Sequence, residues 1–302
     1  MALSRTEKPV IGFINSASQR GMEAQVQAFQ LGLSLGGYVD GQNVAVEYRW
    51  GDSNNDQLAD HAADLASRNL VLIAATGGAQ TAHAVRKATK KTPLLFIAGG
   101  PVGQKRIVPK LKGRNATGVN LQQTPSAAHR MRLLNQLVPK PARIISLVHS
   151  NRGGKLEADI VRKSGKGKQE VRIFEAASVD VLRTIAELSK QPNSALIVHA
   201  DPFFFTQCTL IAEQANISRV PAIYPWREYV EAGGLMSYGP NLKKKYRQIG
   251  LYAAMMLAGA KAHHLPILRP TRFELVINLK TANALNIKIP PKLLARADDL
   301  IQ

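Results

Sequence analysis

The residues best placed to do chemistry are Thr76-Gly77-Gly78, which follow the apolar run Leu70-Val71-Leu72-Ile73-Ala74-Ala75. Six apolar residues suit a strand buried on both faces and are far too few to cross a membrane. The Ala-rich stretch from Ala79 to Val85 has a helical pattern. Glycines between a strand and a helix let backbone approach a ligand closely, and a helix start offers unpaired N–H groups. In open α/β sheets, ligands sit outside the carboxyl ends of the strands. Thr76-Gly77-Gly78 is therefore either a ligand-contacting turn or a tight turn with no ligand.

Groups that do covalent or metal chemistry are not clustered. Cys208 is the single cysteine and lies among Phe203-Phe204-Phe205 and Leu210-Ile211, with no evident base nearby. It reads as a buried thiol, and one cysteine makes neither an intramolecular disulfide nor a cysteine metal cluster. His263-His264 has no third ligand at useful spacing, so no metal is expected. There is no Gly-x-Ser-x-Gly elbow, no Gly-x-Gly-x-x-Gly after a strand and no Walker loop. These absences point to a binding protein without a cofactor rather than to an enzyme.

The elements that must position the turn alternate along the chain. Val10 to Ile14 reads as a strand, then Met22, Val26, Phe29 and Leu33 share a helix face. Val44, Val46, Tyr48 and Trp50 alternate as a strand, Asp56 to Ser67 is helical, and Leu94 to Ile97 is another strand. Lys105 to Asn115 is a basic turn-rich loop, and Thr124-Pro125 caps a helix. The alternation then restarts. Strands are expected at 143–148, 171–174, 195–198 and 220–224, with helices at 179–190 and 204–215. Such order indicates parallel βαβ units in two arrays. A third section breaks the rhythm, with an extended segment at 233–240, a helix at 242–259 and a strand through Phe273, Leu275 and Ile277. A short helix is expected at 281–285. A last helix opens at Pro290-Pro291-Lys292 and turns Leu293-Leu294, Ala297 and Leu300-Ile301 inward.

The 302 residues are 45% hydrophobic and 20% charged, ordinary for a globular protein of two lobes. No apolar run nears the roughly 18 residues of a membrane helix. Met1 to Pro9 carries no hydrophobic signal core, which leaves a cytoplasmic protein and a trimmed one as alternatives. The net charge is +19. Its densest groups, such as Lys243-Lys244-Lys245, are not interleaved with aromatics for stacking, so nucleic acid is not expected as a partner. An anionic ligand or an acidic partner surface remains open.

Several motifs occur in an order that resembles the ABC-transporter substrate-binding protein family, whose better-known members bind tryptophan or tyrosine. They are Gly41-Gln42-Asn43-Val44, Glu47-Tyr48-Arg49-Trp50, Asn115-Ala116-Thr117-Gly118-Val119, Gly233 to Pro240, Phe273 to Ala282, Ile289-Pro290-Pro291 and Leu293 to Asp298. The resemblance covers essentially the whole chain. It implies an α/β fold, the type I periplasmic binding protein, in which two Rossmann-like lobes with parallel sheets are joined by a three-crossover hinge. Lobe one would be 1–120 with 240–277, and lobe two 121–239 with 278–302. It further implies a periplasmic protein that holds a small molecule between its lobes, closes by hinge motion and meets an ABC permease in the membrane. A ligand-sensing domain of a signalling system is the alternative on the same fold.

On that resemblance the strand-to-helix turns line the ligand site. In lobe one these supply Asn15, Ser16, Ser18, Thr76, Gly77, Gly78 and Gly99; in lobe two, His149, Asn151, Asp201, Phe203 and Tyr224, with Tyr238 on the hinge side. For an amino acid or an aromatic carboxylate, hydroxyls and backbone N–H groups would hold the carboxylate and Asp201 the ammonium. The aromatic residues would pack on the side chain. Asp201-Pro202 has a second explanation as a helix cap.

Overall fold

The computed structural model describes residues 8–99, 115–121, 123–138, 143–149, 152–165, 169–176, 180–188 and 193–302. The basic segment at 105–114 lies outside them, as do the side chains of Thr124 and Pro125. The described chain forms two compact units: 8–98, 115–120 and 242–269 make unit one, and Gly99, the described part of 121–241 and 270–302 make unit two.

Unit one is built on a sheet in the order β2-β1-β3-β4-β5, every neighbouring pair parallel. The strands are β1 Val10–Asn15, β2 Ala45–Trp50, β3 Leu72–Ala75, β4 Leu94–Ala98 and β5 Ala116–Asn120. Strands β3, β4 and β5 are buried throughout, as their unbroken apolar or small-residue runs require in a parallel sheet. On one face Phe13 meets Phe29, Tyr48 and Trp50, with ring centroids 5.2, 5.3 and 5.8 Å away. The Asn54 side chain starts the helix Asn55–Ser67 by accepting from the Asp56 and Gln57 amides.

The late helix Leu242–Leu257 belongs to this unit and packs along Glu23–Leu35. Glycine decides how close the two come. A Cβ on Gly250 would stand 2.0 Å from the Phe29 carbonyl oxygen, and one on Gly32 would stand 2.1 Å from that of Arg247.

Unit two holds a sheet in the order β12-β11-β10-β9-β8-β6-β7. Its strands are β6 Arg143–His149, β7 Val171–Ala176, β8 Ser194–Val198, β9 Ala222–Tyr224, β10 Met236–Gly239, β11 Glu274–Asn278 and β12 Asp299–Ile301. Only the β10–β11 pair is antiparallel among the described strands. One face carries the helix Gln123–Leu134 and the C-terminal segment, which share a core of Met131, Leu134, Ile144, Ile197, Met236, Ile277 and Leu293.

Three expectations are corrected here. The segment 204–215 is not one helix but two, Pro202–Thr206 and Cys208–Ile217. Asp201 and Pro202 start the first of them early, and the chain leaves helical geometry at Gln207. The last helix is only Pro291–Leu294, and Leu300-Ile301 lies in β12 with Leu300 exposed. Asp298 causes the change, because its carboxylate takes the Leu275 amide and its own amide returns to the Leu275 carbonyl, which sets β12 beside β11. Finally, 270–277 lies in unit two rather than with lobe one, since β11 pairs with β10 and β12.

The helix contact makes a direct prediction. Gly250→Val forces the Phe29 backbone away and should destabilise unit one by roughly 1–3 kcal/mol. Ala258→Val, on the exposed end of that segment, should leave the denaturation midpoint unchanged.

Candidate functional site

Because β1 and β3 are parallel neighbours, the turns that follow them lie side by side in unit one. Asn15 is fully buried and holds them together. Its amide donates to Thr76 Oγ1 at 3.0 Å and to the Tyr246 hydroxyl at 3.1 Å, while its oxygen takes the Ala17 amide at 2.8 Å. Tyr246 in turn donates to the Thr76 carbonyl at 3.3 Å. Asn15 and Thr76 are thus bound up in shaping the turns.

Ser16 and Ser18 are half-buried. Ser16 donates to the Gly77 carbonyl at 2.8 Å and Ser18 to that of Arg20 at 3.3 Å. At Gly77 there is no room for a side chain, since a Cβ would stand 2.2 Å from the Ser16 amide nitrogen. Gly78 takes φ +88°, a left-handed value that suits glycine, and opens the helix Gly78–Ala88. No side chain caps that helix start. One turn in, the buried Thr81 hydroxyl has no hydrogen-bond partner among the described residues. Such a start, with hydroxyls beside it, suits a carboxylate. Gly99 follows β4 and is half-buried, but it groups with unit two rather than with lobe one as expected.

In unit two the ends of β6 and β8 bring His149, Asp201 and Phe203 together. His149 Nδ1 lies 3.3 Å from Asp201 Oδ2, and the His149 ring stacks on Phe203 with centroids 5.4 Å apart. The other Asp201 oxygen takes the Phe203 amide at 2.8 Å and caps Pro202–Thr206. Asp201 raises the His149 pKa above the ordinary histidine value through that hydrogen bond, against the opposing effect of burial. Phe203 remains half-buried, and Asn151 lies outside the described residues.

Tyr224 departs from expectation. Its ring is fully buried, stacks on Tyr229 at 4.7 Å and covers Gly234, so it is core rather than a surface for a ligand. Trp226 is also buried, edge-on to Phe205. Tyr238 is half-buried and stacked between His129 at 4.4 Å and Phe273 at 5.7 Å.

A polar chain that no spacing in the sequence announces lies within unit two. Arg130 donates to Glu157 at 3.1 Å, His199 Nδ1 lies 3.0 Å from the same carboxylate oxygen, and His199 Nε2 lies 2.7 Å from the Ser146 hydroxyl. All four residues are at most 3% exposed. Burial lowers the His199 pKa despite Glu157, which keeps the ring neutral. Nδ1–H then donates to Glu157, and Nε2 accepts from Ser146. The order Ser–His–Glu matches that of a nucleophilic triad. Ser146 sits within β6 with no exposed surface, so the arrangement braces the unit instead of attacking a substrate. Among the described residues no three metal-ligating side chains gather, and no helix is long and apolar enough to cross a membrane.

Two outcomes follow from this chain. Arg130→Met strands Glu157 without its cation and should cost about 3–5 kcal/mol in chemical denaturation. For His199, the folded pKa lies below the unfolded value of about 6.5, so the unfolded state binds more protons between the two. Stability should therefore fall as pH drops below about 6.5, and His199→Gln should flatten that acid-side loss.

Comparison with known proteins fits this architecture. The sequence pattern of the family described as ABC transporter substrate binding protein matches residues 10–301. No curated protein sequence matches significantly. Among solved structures, a conserved domain protein from Vibrio cholerae has TM-score 0.83 at 23% identity, with 97% of this chain and 100% of that one covered. An ABC domain in complex with L-Trp from Streptococcus pneumoniae has TM-score 0.80 at 22% identity, with 96% and 100% covered. More distant is a solute-binding protein of an ABC transporter from Rhodopseudomonas palustris in complex with 3,4-dihydroxybenzoic acid. It has TM-score 0.55 at 14% identity, with 83% and 79% covered. The fold is that of the periplasmic binding proteins, and the chain belongs to the ABC transporter substrate-binding protein family.

Proposed function

We propose that this chain is the solute-binding component of an ABC importer and takes a small organic solute, an aromatic amino acid or an aromatic carboxylate. On this reading it works in the periplasm and delivers its solute to a membrane permease. No bond is made or broken. The observation that carries the reading is the grouping of His149, Asp201 and Phe203 at the ends of β6 and β8. It offers a half-buried ring for an aromatic solute beside a histidine–carboxylate pair that orients polar groups.

Unit one, taken by itself, carries a candidate carboxylate-binding turn. Ser16, Gly77 and Gly78 at the uncapped helix start suit a carboxylate, with the Thr81 hydroxyl as a further donor. Asp201 is left one role beyond its cap, as the counter-charge for His149 or for a solute ammonium. The relatives' solutes frame the choice, since tryptophan carries an ammonium and dihydroxybenzoate does not. The basic surface of the chain adds attraction for an acid over a neutral solute.

Calorimetric titration with L-tryptophan, L-tyrosine and 3,4-dihydroxybenzoate tests the proposal. At least one should bind with one-to-one stoichiometry, and Phe203→Ala should weaken it about tenfold, close to 1.4 kcal/mol. If the amino acids bind, Asp201→Asn should weaken them more than it weakens the benzoate. Failure of all three to bind contradicts the aromatic assignment.

A further inference from the structure

On unit two, besides His149 and His199, a further imidazole stands in an unusual setting. His129, on the helix Gln123–Leu134, lies face to face with the Tyr238 ring. Arg132, one turn further on, places Nη2 3.0 Å from His129 Nδ1. Arg296, just beyond Pro291–Leu294, places Nη2 3.5 Å from His129 Nε2. Guanidinium groups only donate, and a neutral imidazole has a single acceptor nitrogen. One of the two arginines must therefore face a ring N–H, and a protonated ring would face both as a third cation.

The surroundings do not relieve this. Among the described residues neither Arg132 nor Arg296 pairs with a carboxylate. The nearby acid, Asp298, is engaged by Arg272 and by the Leu275 amide. Arg130, the neighbour of His129 in sequence, is committed to Glu157 below the surface. The remaining groups against the stack are the Tyr238 phenol and the Phe273 ring.

We propose that His129, Arg132 and Arg296 form an oxyanion site that takes a carboxylate or phosphate group. An oxyanion accepts from both guanidinium groups at once, the geometry in which arginine binds most strongly. It also gives a protonated His129 a partner, so that anion binding and proton uptake at this ring are coupled. Burial and the two arginines hold the His129 pKa below the ordinary histidine value, which leaves the anion something to reverse. The site does not depend on the solute-binding proposal, because none of its three side chains is assigned to the solute.

NMR titration of the His129 ring in the whole protein tests this. Phosphate and succinate are added in turn while sodium chloride keeps the ionic strength constant, because salt alone weakens the repulsion between the arginines and the ring. Phosphate or succinate should raise the His129 midpoint by roughly one unit or more, the size expected of an opposite charge in contact. Arg132→Gln and Arg296→Gln, both exposed positions, should each reduce the rise. Whichever anion is effective identifies the source as a phosphate or a carboxylate. A midpoint indifferent to both anions, or one that rises as far in both variants as in the unaltered protein, overturns the proposal.

Discussion

The buried charge of Arg130 sets the organisation of unit two. A guanidinium with no exposed surface is tolerable only when its partners are fixed around it. Here they come from several elements, with Ser126 at 3.1 Å on its own helix, the Tyr238 carbonyl of β10 at 3.4 Å and Glu157 at 3.1 Å. Through Glu157 the constraint reaches His199 and then Ser146 inside β6. The helices Gln123–Leu134 and Arg152–Ser164, two strand positions and the residue after β8 are therefore held in one register. His199 is followed within two residues by Asp201, so the brace also fixes the turn that presents Asp201 and Phe203.

Unit one solves the same problem with neutral groups. Asn15 joins the turns after β1 and β3, and Tyr246 locks them from the helix Leu242–Leu257. That helix reaches its place because glycine lies at the contact with Glu23–Leu35. The turn that carries Ser16, Gly77 and Gly78 is thus positioned by a residue more than 160 places away in the chain. Rigid support of this kind is what a binding turn needs if solute is not to bear the cost of ordering it.

Much of the architecture was legible from periodicity. The buried strands β3, β4, β6 and β8 are apolar runs of the right length, and the glycines after β3 announced a close turn. What was illegible depended on partners distant in sequence. Asn15 read as a ligand group because nothing local reveals Tyr246. Tyr224 read as a binding aromatic because a phenol carries no local sign that Tyr229 and Gly234 will enclose it. The C-terminal Leu300-Ile301 fitted a helical stripe, yet Asp298 turned the chain into a strand through a bond to Leu275. The Arg130 chain left no spacing signal, since its four members are scattered from Arg130 to His199.

The account rests on solute reaching the candidate turns described for each unit, those after β1 and β3 in unit one and that after β8 in unit two. Hydrogen exchange of the backbone amides, with and without saturating L-tryptophan or 3,4-dihydroxybenzoate, reads this directly. The account predicts slowed exchange at Ser16 to Ser18, Gly77 to Thr81 and Ala200 to Thr206, with β12 unaffected. Protection confined to other segments, with these turns unchanged, would contradict it.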